Sequence, residues 1–228
     1  MPKQVSNVAT DDYLTTIYRL DHDEGQDVIA VRLADRLEVT PPSVAGMLKR
    51  LVRDGLVSQD SRKIIRLTGE GLRRAEEMVR RHRLAELLLT DVLHLEWWRA
   101  YEEAHLLEHG ISDVTEERLF EALGRPERSP FGYPIPGRAK PAELSMTTLA
   151  DLHEGATATI DRVFEEDAQL LRFFHEEGIR PGERVVLEAV SPYRGTLTAQ
   201  LDGRSIVMGT QVAKQIWVRN GPPQSSSS

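Results

Sequence analysis

The chain of 228 residues contains no cysteine. That excludes disulfides and thiolate metal sites, and it suits a reducing cytoplasm. No stretch approaches the roughly 18 consecutive apolar residues of a membrane span, so neither a span nor a membrane partner is expected. The opening MPKQVSNVATDDY lacks the apolar core of a signal peptide, and a cytoplasmic location is expected. There is no internal repeat. What is present is 40% hydrophobic and 29% charged residues, the balance of a soluble globular protein with room for two or three small domains. The final PPQSSSS is expected to belong to a disordered tail over 221–228.

The net charge of −7 argues against a nucleic-acid partner only until its distribution is read. Between Val28 and Arg83 there are 13 Lys and Arg against 7 Asp and Glu, leaving the rest of the chain strongly acidic. Phosphates meet local charge, so a basic module on an acidic body remains compatible with DNA.

Asp11 to Leu20 reads as a helix with Tyr13, Leu14, Ile17, Tyr18 and Leu20 on the 3.6-residue period and Asp11 as its cap. Val31–Leu37 is a short helix, EVTPP a turn, and Ser43–Asp54 a second amphipathic helix led in by Pro41 or Pro42. Leu56–Leu67 reads as two short strands around a polar turn. Helix, tight turn, helix and hairpin is the order of a winged helix-turn-helix. Thr40, Pro42 and Ser43 open its second helix and are small enough to enter a groove, while Lys49, Arg50, Arg62 and Lys63 supply cations for phosphates.

Thr68 to about Leu93 reads as one long helix with an apolar stripe, on which His82 and Glu86 stand four residues apart. Trp97–His109 and Val114–Leu123 follow as helices suited to dimerisation, with Trp97 and Trp98 as packing for that domain. In HLLEH, at about 100° per residue, His105, Glu108 and His109 share one arc of a last helical turn. The macrodipole there is negative and favours a cation. Residues 125–141 are too proline-rich for a helix. Beyond them ATATIDRVF, RVVLEAV, TLTAQL and SIVMG read as strands of a small β-barrel, with helices at Asp167–Glu177 and near Val212–Gln215. His22, His94, His153 and His175 are isolated and read as surface or core histidines.

Taken together, DDYLTTIY, VTPPSVAGMLKRLVRDGLV, RHRLAELLLTDVL, HLLEHGISD and SPFGYPIPG make the chain resemble the diphtheria toxin repressor family of metal-dependent transcriptional regulators, including its manganese-transport branch. The resemblance implies a mainly α fold with a β wing and a β barrel. Its parts would be a winged helix-turn-helix over 1–73, a helical dimerisation and metal-binding domain over 74–142, and an SH3-like (FeoA-like) domain over 148–220. It implies a homodimer, double-stranded operator DNA as partner, and Mn²⁺ or Fe²⁺, one or two ions per subunit, as the switch for repressing metal-uptake genes. Carried over, the primary metal site would use Asp12, His105, Glu108 and His109, and an ancillary site His82 and Glu86. Glu166, Asp167 and Gln169 lie near the family's third-domain ligands.

The chain departs from the family at three points. Some iron-sensing members place Met and Cys where Asp12 and His105 stand. Manganese-type members place Asp and Glu there, with a further Glu at the position of Thr15. Tyr101 stands where some members have an ancillary His, which makes Glu102 the candidate substitute.

The chemistry of the donors agrees with the resemblance. Oxygen and imidazole ligands without sulfur suit Mn²⁺ or Fe²⁺, although Zn²⁺ and Ni²⁺ bind such sets in vitro. HLLEH also fits H-x-x-E-H of inverted zinc peptidases, a reading that leaves the helix-turn-helix unexplained, so no enzyme is expected. Two further alternatives are a structural His/Glu cluster and a sensor of an organic ligand, for which nothing in the C-terminal domain marks a site.

Overall fold

The computed structural model describes residues 8–138 and 144–219, so the expected tail and part of the proline-rich connector lie outside the described residues. Helix α1 (Val8–Tyr18) buries Tyr13, Leu14, Ile17 and Tyr18, as their spacing demands. It begins upstream of Asp11, which is therefore not at the cap position: Asp11 is buried within the helix and its Oδ1 lies 2.6 Å from Arg74 Nε. The next turn, Arg19–Asp23, widens, with the Glu24 amide donating to the Arg19 carbonyl five residues back at 3.0 Å. Helices α2 (Ala30–Arg36) and α3 (Pro41–Arg53) follow. Proline suits the first position of α3 because the amide it lacks has no partner inside the helix. Val44, Leu48 and Leu51 on α3 enter one core with Leu14 and Ile17 of α1. Strands β1 (Val57–Gln59) and β2 (Ile65–Leu67) pair antiparallel as the wing.

Helix α4 (Gly69–Leu87) is capped by Thr68, whose hydroxyl accepts from the Gly71 amide. Gly71 is required there, since a Cβ would come within 1.9 Å of the Leu56 carbonyl oxygen. The helix is shorter than its apolar stripe suggests. Residues Leu88–Val92 form a widened turn, and the Thr90 hydroxyl bonds back to the Glu86 carbonyl at 3.0 Å, a contact that commonly bends helices. Trp97–Arg99 is a single tight turn ahead of α5 (Ala100–Glu108), and α6 (Asp113–Ala122) is capped by Ser112.

The C-terminal domain is a five-stranded antiparallel sheet in the order β6-β5-β4-β3-β7. The strands are β3 (Thr157–Val163), β4 (Arg184–Ser191), β5 (Thr196–Leu201), β6 (Arg204–Gly209) and β7 (Ile216–Arg219). The sequence reading missed β7. Helix α7 (Ala168–Glu177) and the short α8 (Thr210–Ala213) complete the domain. Trp97, expected to pack within the dimerisation domain, instead belongs to the core of this sheet, together with Phe131 and Tyr133. The Phe131 carbonyl accepts from the Val163 amide at 3.1 Å, and a Cβ on Gly132 (φ +95°) would strike the Asp161 carbonyl at 2.2 Å. The SPFGYPIPG segment is thus pressed against β3 and joins the helical and sheet domains.

Candidate metal centre and nucleic-acid interface

The last turn of α5 carries His105 and Glu108, and His109 is the residue that ends the helix. Glu108 is buried, and its oxygens divide their contacts. Oε2 lies 2.6 Å from His82 Nδ1 on α4, whereas Oε1 lies 3.1 Å from His105 Nδ1 and 3.5 Å from His109 Nε2. His109 Nε2 is 3.9 Å from Asp12 Oδ1 on α1. Donor atoms of Asp12, Glu108 and His109 all lie within 4.8 Å of one another, as do those of His82, His105 and Glu108. The fold therefore brings together residues almost a hundred positions apart, with Glu108 shared by both groups.

The electrostatics are those of a site short of positive charge. Burial raises the Asp12 carboxyl above its usual range despite His105 and His109 nearby. Burial also disfavours the Glu108 anion, yet hydrogen bonds from His105 and His82, with the charges of His82 and Arg19, hold its carboxyl far below the usual range. For His82, burial would lower the pKa, but the Glu86 charge and the Glu108 hydrogen bond dominate and lift it to about 9. Protons on His82 and His105 thus supply positive charge to Glu108. Asp12 Oδ1 and both ring nitrogens of His109 are buried with no hydrogen-bond partner among the described residues. A buried polar atom left unpaired costs about 1–3 kcal/mol. A cation would satisfy the carboxylate and an imidazole nitrogen together, so these residues fit a divalent ion.

The ancillary group is different. His82 Nε2 lies 3.0 Å from Glu86 Oε1 without the alignment of a hydrogen bond, and both Glu86 oxygens are buried. The third-domain carboxylate that joins them is Glu165, which the sequence reading passed over. It is fully buried, and burial followed by repulsion from Glu86 pushes its carboxyl up to about 8. Glu166 instead accepts from Arg36 Nη1 at 2.9 Å. Asp167 is exposed and caps α7, accepting from the Gln169 and Leu170 amides. Gln169 and Glu102 are also exposed and line, with Arg32 and Glu166, an open cleft of about 730 Å³. Tyr101 and Arg19 lie beside the ancillary group, and Arg19 Nη1 donates to the Tyr101 hydroxyl at 2.5 Å.

The expected DNA-facing residues are all on the surface. Thr40, Pro42 and Ser43 stand exposed at the start of α3, where no side chain caps the helix and the Thr40 and Ser43 hydroxyls lie 2.9 Å apart. Pro41 and Pro42 bring no amide hydrogens to this end, so the Thr40 and Ser43 hydroxyls, beside the positive end of the helix dipole, are the groups that face outward. Lys49 and Arg50 are exposed further along α3. In the wing the Asp60 carboxylate accepts from the Arg62 and Ile64 amides, which shapes the loop that exposes Arg62 and Lys63.

Comparison with known proteins matches three family models in sequence order. They are the iron dependent repressor N-terminal DNA binding domain over 7–64, the iron dependent repressor metal binding and dimerisation domain over 68–137, and the FeoA domain over 147–220. The iron-dependent repressor IdeR of Mycobacterium leprae is 35% identical over 192 residues, covering 78% of this chain and 83% of the relative. The diphtheria toxin repressor of Corynebacterium efficiens is 45% identical over 130 residues, 57% of this chain and 56% of its own. Among solved structures, a manganese-dependent transcriptional repressor in complex with manganese superimposes with a TM-score of 0.84 at 33% identity, covering 92% of this chain and 98% of its own. The manganese regulator SloR gives 0.78 at 31% identity, covering 93% and 98%.

Proposed function

The chain belongs to the iron-dependent repressor family of metal-dependent DNA-binding transcriptional regulators, and on that premise we propose that Asp12, His105, Glu108 and His109 hold the activating ion. The observation that carries this reading is the buried Asp12 Oδ1 on α1, without a hydrogen bond among the described residues and 3.9 Å from His109 at the end of α5. Oxygen and imidazole donors without sulfur favour Mn²⁺ or Fe²⁺. When bound, the ion supplies the positive charge that ties α1 to α5.

The chain's own residues pass that tie to the DNA. Asp12 rides on α1, and Leu14 and Ile17 of α1 share a core with Val44, Leu48 and Leu51 of α3. Fixing Asp12 against α5 therefore fixes the recognition helix relative to the dimerisation domain, and across a two-fold dimer it fixes the spacing of both recognition helices. Thr40, Pro42 and Ser43 enter the groove, while Lys49, Arg50, Arg62 and Lys63 meet phosphates. The family is one of repressors rather than enzymes, and the targets we propose are metal-uptake genes. Metal and operator must strengthen each other's binding by one common factor.

Selection of random genomic fragments by chelator-stripped protein, with and without Mn²⁺ or Fe²⁺, tests the reading. A palindromic site enriched only with metal is the expected result. Equal enrichment without metal would reduce the cluster to a structural role.

A further inference from the structure

Three observations at the ancillary group disagree with a second metal ion. First, Tyr101, whose ring lies 4.8 Å from that of His82, has its hydroxyl already accepting from Arg19 at 2.5 Å. Second, Arg19 is buried, and its guanidinium also stacks over the Tyr101 ring at 5.0 Å. Third, that guanidinium faces the two carboxylates of the third domain, with Nε 3.7 Å from Glu165 and Nη1 3.7 Å from Glu166. A second arginine, Arg36 of α2, reaches Glu166 at 2.9 Å and Glu24 at 2.8 Å.

We propose that Arg19 is a built-in cation that stands in for a second ion, so that each chain binds one metal and holds its third domain by arginines. A guanidinium charge sits 3.7 Å from Glu165, where a divalent cation would need to approach that carboxylate, and like charges at such distances repel strongly in a buried setting. What remains for a second ion is one imidazole and two carboxylates, all within the field of that fixed charge. The arginines also do the structural work of an ion. Arg19 extends from the turn after α1 to Glu165 and Glu166, and Arg36 from α2 to Glu166, both just before α7. The DNA-binding module and the third domain are thereby linked whether or not the primary site is loaded. Arg19 is a positioning residue in this scheme.

The inference rests on the primary-site reading, and the experiment separates the two. Mn²⁺ per chain is counted by native mass spectrometry and elemental analysis on the full-length protein, with circular dichroism to verify folding. Wild type is expected to hold one ion, lost in Glu108→Gln and retained in Glu86→Gln. Arg19→Met should admit a second ion that Glu86→Gln removes again, while Arg19→Lys should stay at one. Two ions on the wild type, one of them lost in Glu86→Gln, would overturn the assignment of Arg19, and that comparison needs no Arg19 variant to fold. Arg19→Met folded but still holding one ion would overturn it as well. No ion on the wild type would instead sink the primary-site reading, and the count of one with it.

Discussion

Nδ1 of His82 and Oε2 of Glu108 lie 2.6 Å apart in a fully buried contact between α4 and α5. The same carboxylate reaches His105 and His109 through its other oxygen. Glu108 is therefore the residue on which both histidine-bearing helices converge. Glu108→Gln keeps the shape but removes the charge, and Mn²⁺ affinity should fall by at least about 10-fold. Isothermal titration checks this, and an unchanged affinity would remove Glu108 from the ligand set.

Stability of the chelator-treated protein should fall as pH rises. His82 has a folded pKa of about 9 against an ordinary 6.5, so its contribution is complete below the lower value and lost as pH rises through the upper one. Glu165 has a folded pKa of about 8 against 4.5, so the folded chain keeps a proton that the unfolded chain releases, and that contribution is also lost with rising pH. Both act in the same direction. Calorimetry from about pH 6.5 to about pH 9 should show a falling melting temperature, and Glu165→Gln should flatten the slope. A melting temperature that rises over this window would contradict the assignment.

Arg50 sits on the exposed face of α3, 3.6 Å from Asp54. Arg50→Ala should weaken binding to specific and non-specific DNA alike, and reduce the slope of log affinity against log salt by about one unit. Fluorescence anisotropy across a salt series measures this. An unchanged slope would show that Arg50 does not touch a phosphate.

Leu106 and Val114 are apolar yet 74% and 75% exposed, on α5 and α6 of the segment matched by the dimerisation model. On a segment matched by a dimerisation domain, such exposed apolar side chains suit a partner face. Leu106→Asp combined with Val114→Asp should shift the dimer toward monomer in analytical ultracentrifugation while leaving the far-ultraviolet spectrum unchanged. A dimer of undiminished strength would place the interface elsewhere.

Gly71→Ala should destabilise the protein by about 1–3 kcal/mol, because the added methyl meets the Leu56 carbonyl and either α4 or the wing must move. Urea unfolding is the measure. A neutral result would mean that the approach relaxes at no cost.

Local pattern carried most of this structure. The i, i+4, i+7 spacing of Val44, Leu48 and Leu51 gives α3 and its buried face, and HLLEH gives three neighbouring donors on one turn. Long-range pairing was less legible. Asp11 looks like a cap because its partner, Arg74, stands 63 residues away. Trp97 reads as packing for its own helix until the Phe131 segment and the sheet close over it. Strand β7 has four residues with no polar alternation, and only its ladder with β3 makes it a strand. Of the adjacent Glu165 and Glu166, the choice of which turns inward depends on how the chain leaves β3. Arg19 did leave a signal. It lies seven residues from Asp12, within roughly 20° of it around the helix, a lone cation on the stripe that bears the acid.

The widened turn that ends in Asp23 has a consequence for modularity. The Asp23 carboxylate pairs with Arg83 of α4, and its carbonyl accepts from Arg162 of β3 at 2.8 Å. Asp23 lies in the segment matched by the DNA-binding model, Arg83 in that of the dimerisation model, and Arg162 in that of the FeoA model. Three units that are separable as sequence thus meet at one residue, through its carboxylate on one side and its backbone carbonyl on the other. A chimera that took its first module from a relative with a neutral residue here would leave the buried Arg83 without its carboxylate, while the backbone carbonyl that serves Arg162 would depend on the turn keeping its shape. The modules can be exchanged only if that turn travels with the partners it has to satisfy.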